Sequence, residues 1–509
     1  MNTMTRIPLS LITLLMVCLM ATTSILPAYA TPLQADADFS AVDAYVKAQM
    51  KSLNTPGLAL AIVRGDQVAY VHGYGEAGLE RSVTPQTPFM IGSTTKSFTA
   101  LAIMQLVEAG QIELDAPVQT YLSWFRVADP LASAQITVRH LLNQTSGFSN
   151  AAGLQEEVAH DLSDNAIETS VRRLAGVNLV RSPGTAHEYS NVNFTILGLI
   201  VQTVSGQSYE SYVQEHIFAP LEMRHSFTSQ DKAMQDGMAT GHVTWFGIHL
   251  PKDMPFNRGN LPNGFLICSA EDMARYLIAQ LNDGRYGNVS VLSPQGVAAM
   301  HQPAVPTRIP GEYYGMAWYV GTLDGAPAVY HSGENANFST HIILVPEEKL
   351  GVVVMMNTHG LAGLGAFENI TEGVLAAVRG KQPRPYETPM KELAMLAGSV
   401  IVPAVLAFAW IAWMACRFIR RRKQSVSAHR GVLWVVWVIV LPLIVDLGLL
   451  WVLLLGIPRL WGLPLSGMAA FLPDMFTLVI SSAVAVVGWG LARTVLTLRS
   501  VKPRPQAAH

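Results

Sequence analysis

The chain has 509 residues, 50% of them hydrophobic and only 14% charged, with a formal net charge of −2. That length exceeds one small domain, and the near-neutral charge, with no basic cluster in the central region, argues against a nucleic-acid-binding surface there. The apolar excess gathers at the N-terminus and beyond about Lys391, which predicts a membrane protein with a soluble middle whose partners are small molecules or peptides.

Residues 1–30 carry one basic side chain, Arg6, then an apolar stretch from Leu9 to Met20 and the small-residue ending Ala28-Tyr29-Ala30. This pattern predicts a secretory signal cut after Ala30, with Thr31 as the mature start; an uncleaved anchor is the alternative, because the basic part is thin. Cys18 follows Val17, which lacks the small side chain that lipoprotein processing favours. After cleavage only Cys268 and Cys416 remain, so the soluble part has neither a disulfide framework nor a thiolate zinc cluster. Cys268, between Ile267 and Ser269, reads as a small buried apolar residue rather than a nucleophile.

Residues 31–379 form the expected extracytoplasmic domain. Leu58 to Val63 and Gln67 to His72 are β-rich runs joined by Arg64-Gly65-Asp66, and Thr340 to Val345 and Gly351 to Met356 flank Pro346-Glu347-Glu348-Lys349. Both predict hairpins. Between them Thr94 to Ala109, closed by Gly110, and Tyr189 to Val204, closed by Gly206, predict helices. The expected fold class is therefore α+β, an antiparallel β-sheet flanked by helices with an inserted mostly helical region, followed by a three-helix transmembrane region.

Residues 380–392 contain Pro383, Pro385 and Pro389 and read as an extended linker. Three spans are expected at about 393–416, 431–455 and 475–492. The basic run Arg417 to Lys423 and the tail 493–509, with Arg493, Arg499, Lys502 and Arg504, place the first loop and the tail in the cytoplasm; the loop Gly456 to Asp474 holds only Arg459 and lies outside with the hydrolase domain. The expected location is thus a cell membrane, crossed several times. Asp446 falls within the second span. A carboxylate there is either functional or, by the stronger argument, a packing contact through Ser481 and Ser482 on the third span.

Ser93-Thr94-Thr95-Lys96 opens a helix whose continuation, Phe98 to Val107, is apolar on nearly every face. The spacing of three puts Ser93 and Lys96 on one face, with Ser93 at the positive helix end, where a developing oxyanion is favoured. A solvated helix start explains such a pair equally well on its own. Tyr189-Ser190-Asn191 follows about a hundred residues later, and His331-Ser332-Gly333 opens a strand near the end of the domain. Taken singly, Tyr189 reads as a packed aromatic, Asn191 as a cap and His331 as a buried sheet histidine; the ordered set points to chemistry.

The Ser-x-x-Lys, Tyr-x-Asn and His-Ser-Gly trio, with Ile136 to Leu142 and Thr145-Ser146-Gly147, resembles the class C β-lactamase, penicillin-binding protein (DD-peptidase) and esterase superfamily over roughly Ala41 to Val378. The resemblance implies a β-lactamase/transpeptidase-like fold and acyl transfer. Ser93 is then the acylated nucleophile, and the backbone N–H groups of Ser93 and Glu334 form the oxyanion hole. Lys96 acts as base, which requires its environment to lower a pKa that is ordinarily ~10.4. Tyr189 relays protons, and Asn191 hydrogen-bonds Lys96 and the substrate amide. His331, where many relatives carry Lys, contacts the substrate and shares the proton network, with a charge conditional on pH. Glu334 and Asn335 follow Gly333 where many relatives have small residues, which suggests a pocket that reads a polar group.

Within that chemistry the ranking is a D-residue peptidase or amidase first, a general esterase second and a true β-lactamase third. Signal, hydrolase and three spans together resemble the colibactin-type prodrug-activating peptidases, from whose pattern Asn191 departs. The reading from another class is a membrane receptor that is acylated by cell-wall peptides or β-lactams and does not turn over. The inner loop and tail are short for a folded cytoplasmic effector. A transporter is a conceivable membrane partner. No metal or cofactor is expected, since no ligand cluster or nucleotide-binding loop stands out.

Overall fold

Strand β1 (Gly57–Arg64) is a continuous apolar run, turned at Gly65, whose φ of +63° lies in the left-handed region, into β2 (Gln67–Gly78). In chain order follow β3 (Arg81–Ser82), β4 (His242–Trp245), β5 (Ile248–Pro251), β6 (Val305–Pro306), β7 (Tyr313–Tyr314), β8 (Tyr319–Leu323), β9 (Ala326–Asn335), β10 (Phe338–Val345), β11 (Leu350–Met356) and β12 (Thr358–His359). This computed structural model describes residues 38–152, 160–360, 365–386 and, apart from residue 462, 440–499, with scattered positions between 398 and 436. The expected signal, residues 1–30, most of the first expected span, 393–416, and the linker beyond residue 386 lie outside the described residues.

The main sheet is antiparallel with nine strands in the order β6-β7-β8-β9-β10-β11-β1-β2-β3. Both predicted hairpins are present, and β1 pairs with β11 (Leu58 opposite Met356), so strands from the two ends of the domain meet in one sheet. Helices α1 (Ser40–Leu53), α2 (Thr95–Glu108), α3 (Val192–Ser205), α4 (Ala270–Leu281) and α5 (Ala366–Val378) surround it. Ala59, Ala61 and Val63, with Val353 and Met355, share a core with Phe98 and Leu101 of α2 and Leu277 of α4. Leu58, Leu60, Ile62, Val352 and Val354 point the other way and are equally buried, with α1 and α5 packed against each other and α5 against β10 and β11. Burial on both faces explains why these strands read as unbroken apolar runs rather than alternating ones. Each such side chain contributes roughly 1.5–3 kcal/mol.

Beyond the domain lie α6 (Leu441–Trp461), α7 (Leu465–Phe471) and α8 (Pro473–Arg499). Leu441–Trp461 and the first 23 residues of α8, Pro473–Val495, are long and apolar enough to cross a membrane; at 1.5 Å per residue each reaches ~30 Å. Among the described residues there are two such helices, not the three expected. The serine contact expected for Asp446 is also overturned. Arg493 Nη2 donates to Asp446 Oδ2 at 2.7 Å, with both residues nearly fully buried, while Ser481 Oγ turns back to the Thr477 carbonyl of its own helix. An ion pair neutralises a buried charge more completely than a hydroxyl does, and α8 runs on past the expected end of the span to bring Arg493 within reach. Gly490 keeps the space open: a side-chain carbon there would stand 3.2 Å from Asp446 Oδ2.

Candidate active site

Ile91 anchors the start of the site by donating its N–H to the Leu266 carbonyl (3.0 Å), and the chain then enters a 3₁₀ turn, Gly92–Thr94, that runs straight into α2. Gly92 has φ +54°, and a side-chain carbon there would collide with the backbone of Gly333 and Glu334. Glycine is therefore required both for the backbone conformation and for the close approach of β9. One turn on, Lys96 is completely buried; its Nζ donates to Ser93 Oγ at 2.8 Å and to the Asn263 carbonyl at 2.6 Å. Tyr189 OH donates to the same Ser93 Oγ at 2.8 Å, and its ring lies 5.0 Å from Lys96 Nζ. The serine oxygen is thus shared between an amine and a phenol at hydrogen-bond distance, as nucleophile activation requires.

Tyr189 is held by a clamp. Gln144, in the left-handed region at φ +56°, accepts the Ser190 N–H through Oε1 (2.9 Å) and also the Asn193 side-chain amide; its carbonyl accepts the Glu188 N–H (2.8 Å). Ser146 Oγ donates to Asn193 Oδ1 at 2.6 Å, and Ser190 Oγ donates to the Ser149 carbonyl at 2.8 Å. Thr145-Ser146-Gly147 therefore belongs to the loop that positions Tyr189. Asn191 lines the same narrow cleft as Ser93, Asn263, Glu334 and Asn335.

Gly333 brings β9 against the nucleophile turn. A side-chain carbon on Gly333 would meet the Ile91 carbonyl oxygen and stand 3.0 Å from the Ser93 nitrogen and 2.9 Å from the Thr94 nitrogen. The backbone of Gly333 and Glu334 is thereby packed against the turn that carries Ser93. Asn335 is buried; its Nδ2 donates to the Gly264 carbonyl (3.2 Å), while its Oδ1 has no partner among the described residues. Glu334 lines the cleft with 42% of its side chain open to solvent; desolvation by the surrounding protein raises its carboxyl above the ordinary range, and water moderates that rise.

His331 is placed differently from expectation. It is 1% exposed, with Nδ1 against its neighbour's carbonyl, Ser332 O (2.5 Å), and Nε2 against Tyr314 OH (3.2 Å). Burial, reinforced by Lys96, lowers its pKa to about 3, so it is neutral at working pH rather than conditionally charged. A neutral ring that donates from Nδ1 must accept the Tyr314 hydroxyl at Nε2, which fixes its tautomer. Sequence reasoning missed Tyr314, Asn263 and Gln144; only Gln144 had a signal, its place just before Thr145. Cys268 is wholly buried in the core, where burial raises its thiol far above the ordinary range. Among the described residues no three His, Cys, Asp or Glu side chains are grouped to hold a metal ion.

The family model described as Beta-lactamase matches residues 42–376. Protein flp of Staphylococcus aureus strain MW2 is 30% identical over 319 residues, covering 62% of this chain and 62%, under two thirds, of its own length. Penicillin-binding protein 4 of Amycolatopsis lactamdurans is 28% identical over 361 residues, 68% of this chain and 93% of that protein. Among solved structures, the octameric penicillin-binding protein homologue from Pyrococcus abyssi is similar with a TM-score of 0.61 at 30% identity, covering 72% of this chain and 82% of the other. A class C beta-lactamase shares the fold with a TM-score of 0.58 at 19% identity, covering 68% and 97%.

Proposed function

Because this chain belongs to the beta-lactamase family of serine hydrolases, we propose that it cleaves amides by way of an acyl-enzyme on Ser93, as a D-residue peptidase or amidase. The observation that carries the chemistry is the convergence of Lys96 Nζ and Tyr189 OH on Ser93 Oγ, each at 2.8 Å. Lys96 in its neutral form accepts the Ser93 proton as Oγ attacks the carbonyl carbon, while the Ser93 and Glu334 N–H groups receive the oxyanion. Tyr189 passes a proton to the leaving nitrogen, and the C–N bond breaks. Water then enters along the reverse path, the Ser93 ester is hydrolysed, and Oγ regains its proton.

Substrate class is read from the cleft wall. The Glu334 carboxyl, 42% open to solvent on the cleft wall, is an acceptor and suits a substrate that offers N–H donors near its scissile bond. A neutral His331 removes the positive charge that would favour a carboxylate-bearing β-lactam. Prodrug activation of the colibactin type is one form this activity could take. The hydrolase is assigned to the extracytoplasmic side. Lys252 meets the segment between the two apolar helices and Trp245 meets Thr477 in the first turns of the second, opposite in chain position to the basic clusters at 417–423 and 493–504.

The test is hydrolysis of matched N-acyl-D- and N-acyl-L-aminoacyl amides and simple esters by the full-length protein in detergent, beside Ser93→Ala. Selective D-amide turnover that vanishes in the variant is expected. Ester turnover alone would move the assignment to an esterase, and stoichiometric acylation without release would make the protein a receptor.

A further inference from the structure

The cleft beside Ser93 is not closed by the hydrolase domain alone. Its wall includes Phe471, the last residue of α7, from the segment between the two membrane-spanning helices. Two contacts hold that segment against the domain on either side of Phe471 in sequence. Lys252 Nζ donates to the Ala469 carbonyl (3.4 Å), and Trp245 Nε1 donates to Thr477 Oγ1 (3.2 Å). Met468 and Leu472, which flank the same turn, are buried with Met475 and Val479 of α8, so the turn is also fixed from the membrane side. The apolar part of the cleft comprises Met90, Met254, Pro255, Phe265 and Phe471, across from Asn335 and Glu334. The cavity they enclose is about 30 Å³, room for little more than one water molecule.

We infer that Phe471 is a specificity-determining residue of the hydrolase, limiting how far the acyl group bound to Ser93 extends into this side of the cleft, and that the membrane region is a wall of the catalytic site as well as an anchor. The inference rests on the acyl-enzyme reading. A phenyl ring in a space this small excludes longer acyl chains by overlap, and removing it opens a channel lined by methionine and proline, which accommodates them.

The experiment uses the full chain in detergent with p-nitrophenyl acetate, butyrate and octanoate, and compares wild type with Phe471→Ala and Phe471→Leu. Wild type is expected to favour acetate. Phe471→Ala should raise the octanoate-to-acetate ratio of kcat/KM at least tenfold and Phe471→Leu by an intermediate factor, and turnover of every ester should vanish when either is combined with Ser93→Ala. Thermal melting identifies a variant that has not folded; the leucine variant, which keeps an apolar side chain but gives up part of the ring's volume, then carries the test. A ratio within twofold of wild type in a folded variant overturns the inference while acetate turnover leaves the hydrolase intact. Absence of Ser93-dependent turnover in wild type, of these esters and of the N-acyl-D-aminoacyl amides alike, overturns the reading beneath it.

Discussion

Gly333→Ala tests whether the contact between β9 and the nucleophile turn makes the oxyanion hole. The added methyl would meet the Ile91 carbonyl oxygen and lie 3.0 Å from the Ser93 nitrogen and 2.9 Å from that of Thr94. All three are backbone atoms, which cannot rotate away. Restoring ordinary van der Waals separation needs a retreat of about 1 Å by the strand or the turn. The overpacking itself should lower stability by ~1–3 kcal/mol. The displacement moves the Glu334 N–H from the Ser93 N–H, and loss of one such donor lowers kcat by ~10²–10³-fold. Pre-steady-state release of p-nitrophenol separates acylation from deacylation, and thermal melting measures the fold. Gly206→Ala is the control: at φ +71° it strains the backbone of a helix end but meets nothing within 4 Å, so it should cost about 1 kcal/mol with unchanged kinetics. Acylation by Gly333→Ala within threefold of wild type would refute the assignment of the hole to this contact.

Gln144→Ala removes the acceptor of the Ser190 N–H. It should destabilise by ~1–3 kcal/mol and lower kcat with little change in KM, as Tyr189 loses its register; equal kcat would show that the clamp does not position Tyr189. Stability should also fall in acid. His331 and His341 are lowered by burial to about 3, and His359 to about 4, so between those values and the ordinary ~6.5 the unfolded chain binds more protons than the folded one. Their contribution is complete above pH ~6.5 and is lost as pH falls, by at most ~1.4 kcal/mol per pH unit for each. Glu368, raised by burial to about 7, acts with the opposite sign near neutrality. Urea midpoints should therefore be nearly flat from pH 7 to 6 and drop steeply between 5 and 4; a midpoint unchanged down to pH 4 would contradict neutral burial. Asp446→Ala strands the buried Arg493 and should cost ~3–5 kcal/mol, partly recovered in Asp446→Ala with Arg493→Met. Melting in detergent micelles reads both, and an unaffected single variant would mean the pair is solvated.

What was legible in the sequence was local. The hairpins around Gly65 and around Pro346 to Lys349 announce themselves through β-rich runs and turn residues, and α2 through Ser93, Lys96 and an apolar continuation. The acceptor that holds Lys96 was not legible. It is the carbonyl of Asn263, 167 residues away, and a backbone carbonyl leaves no trace in residue type. The surroundings of His331 are not legible for a related reason: a sequence shows the imidazole but not the tyrosines that dry it, Tyr314 and Tyr319, whose rings lie 6.0 and 5.3 Å from it. The partner of Asp446 is hidden because hydropathy ends the span at residue 492, one position before the arginine that neutralises the carboxylate.

The acyl-transfer groups sit on β9 within the sheet, at the turn that opens α2 and in the loop just before α3, inside the matched region 42–376, where moving any one of them would disturb the core. The wall of the cleft is different. Phe471 stands nearly a hundred residues beyond the end of that match, and it reaches Ser93's cleft only because Trp245 and Lys252 hold its segment in place. A substitution at such a position changes the space offered to substrate without touching the core, so it can vary while the machinery stays constant. Relatives that share the family domain therefore support the reaction on Ser93 but carry no information about Phe471, and substrate choice has to be measured on the full chain, membrane region included.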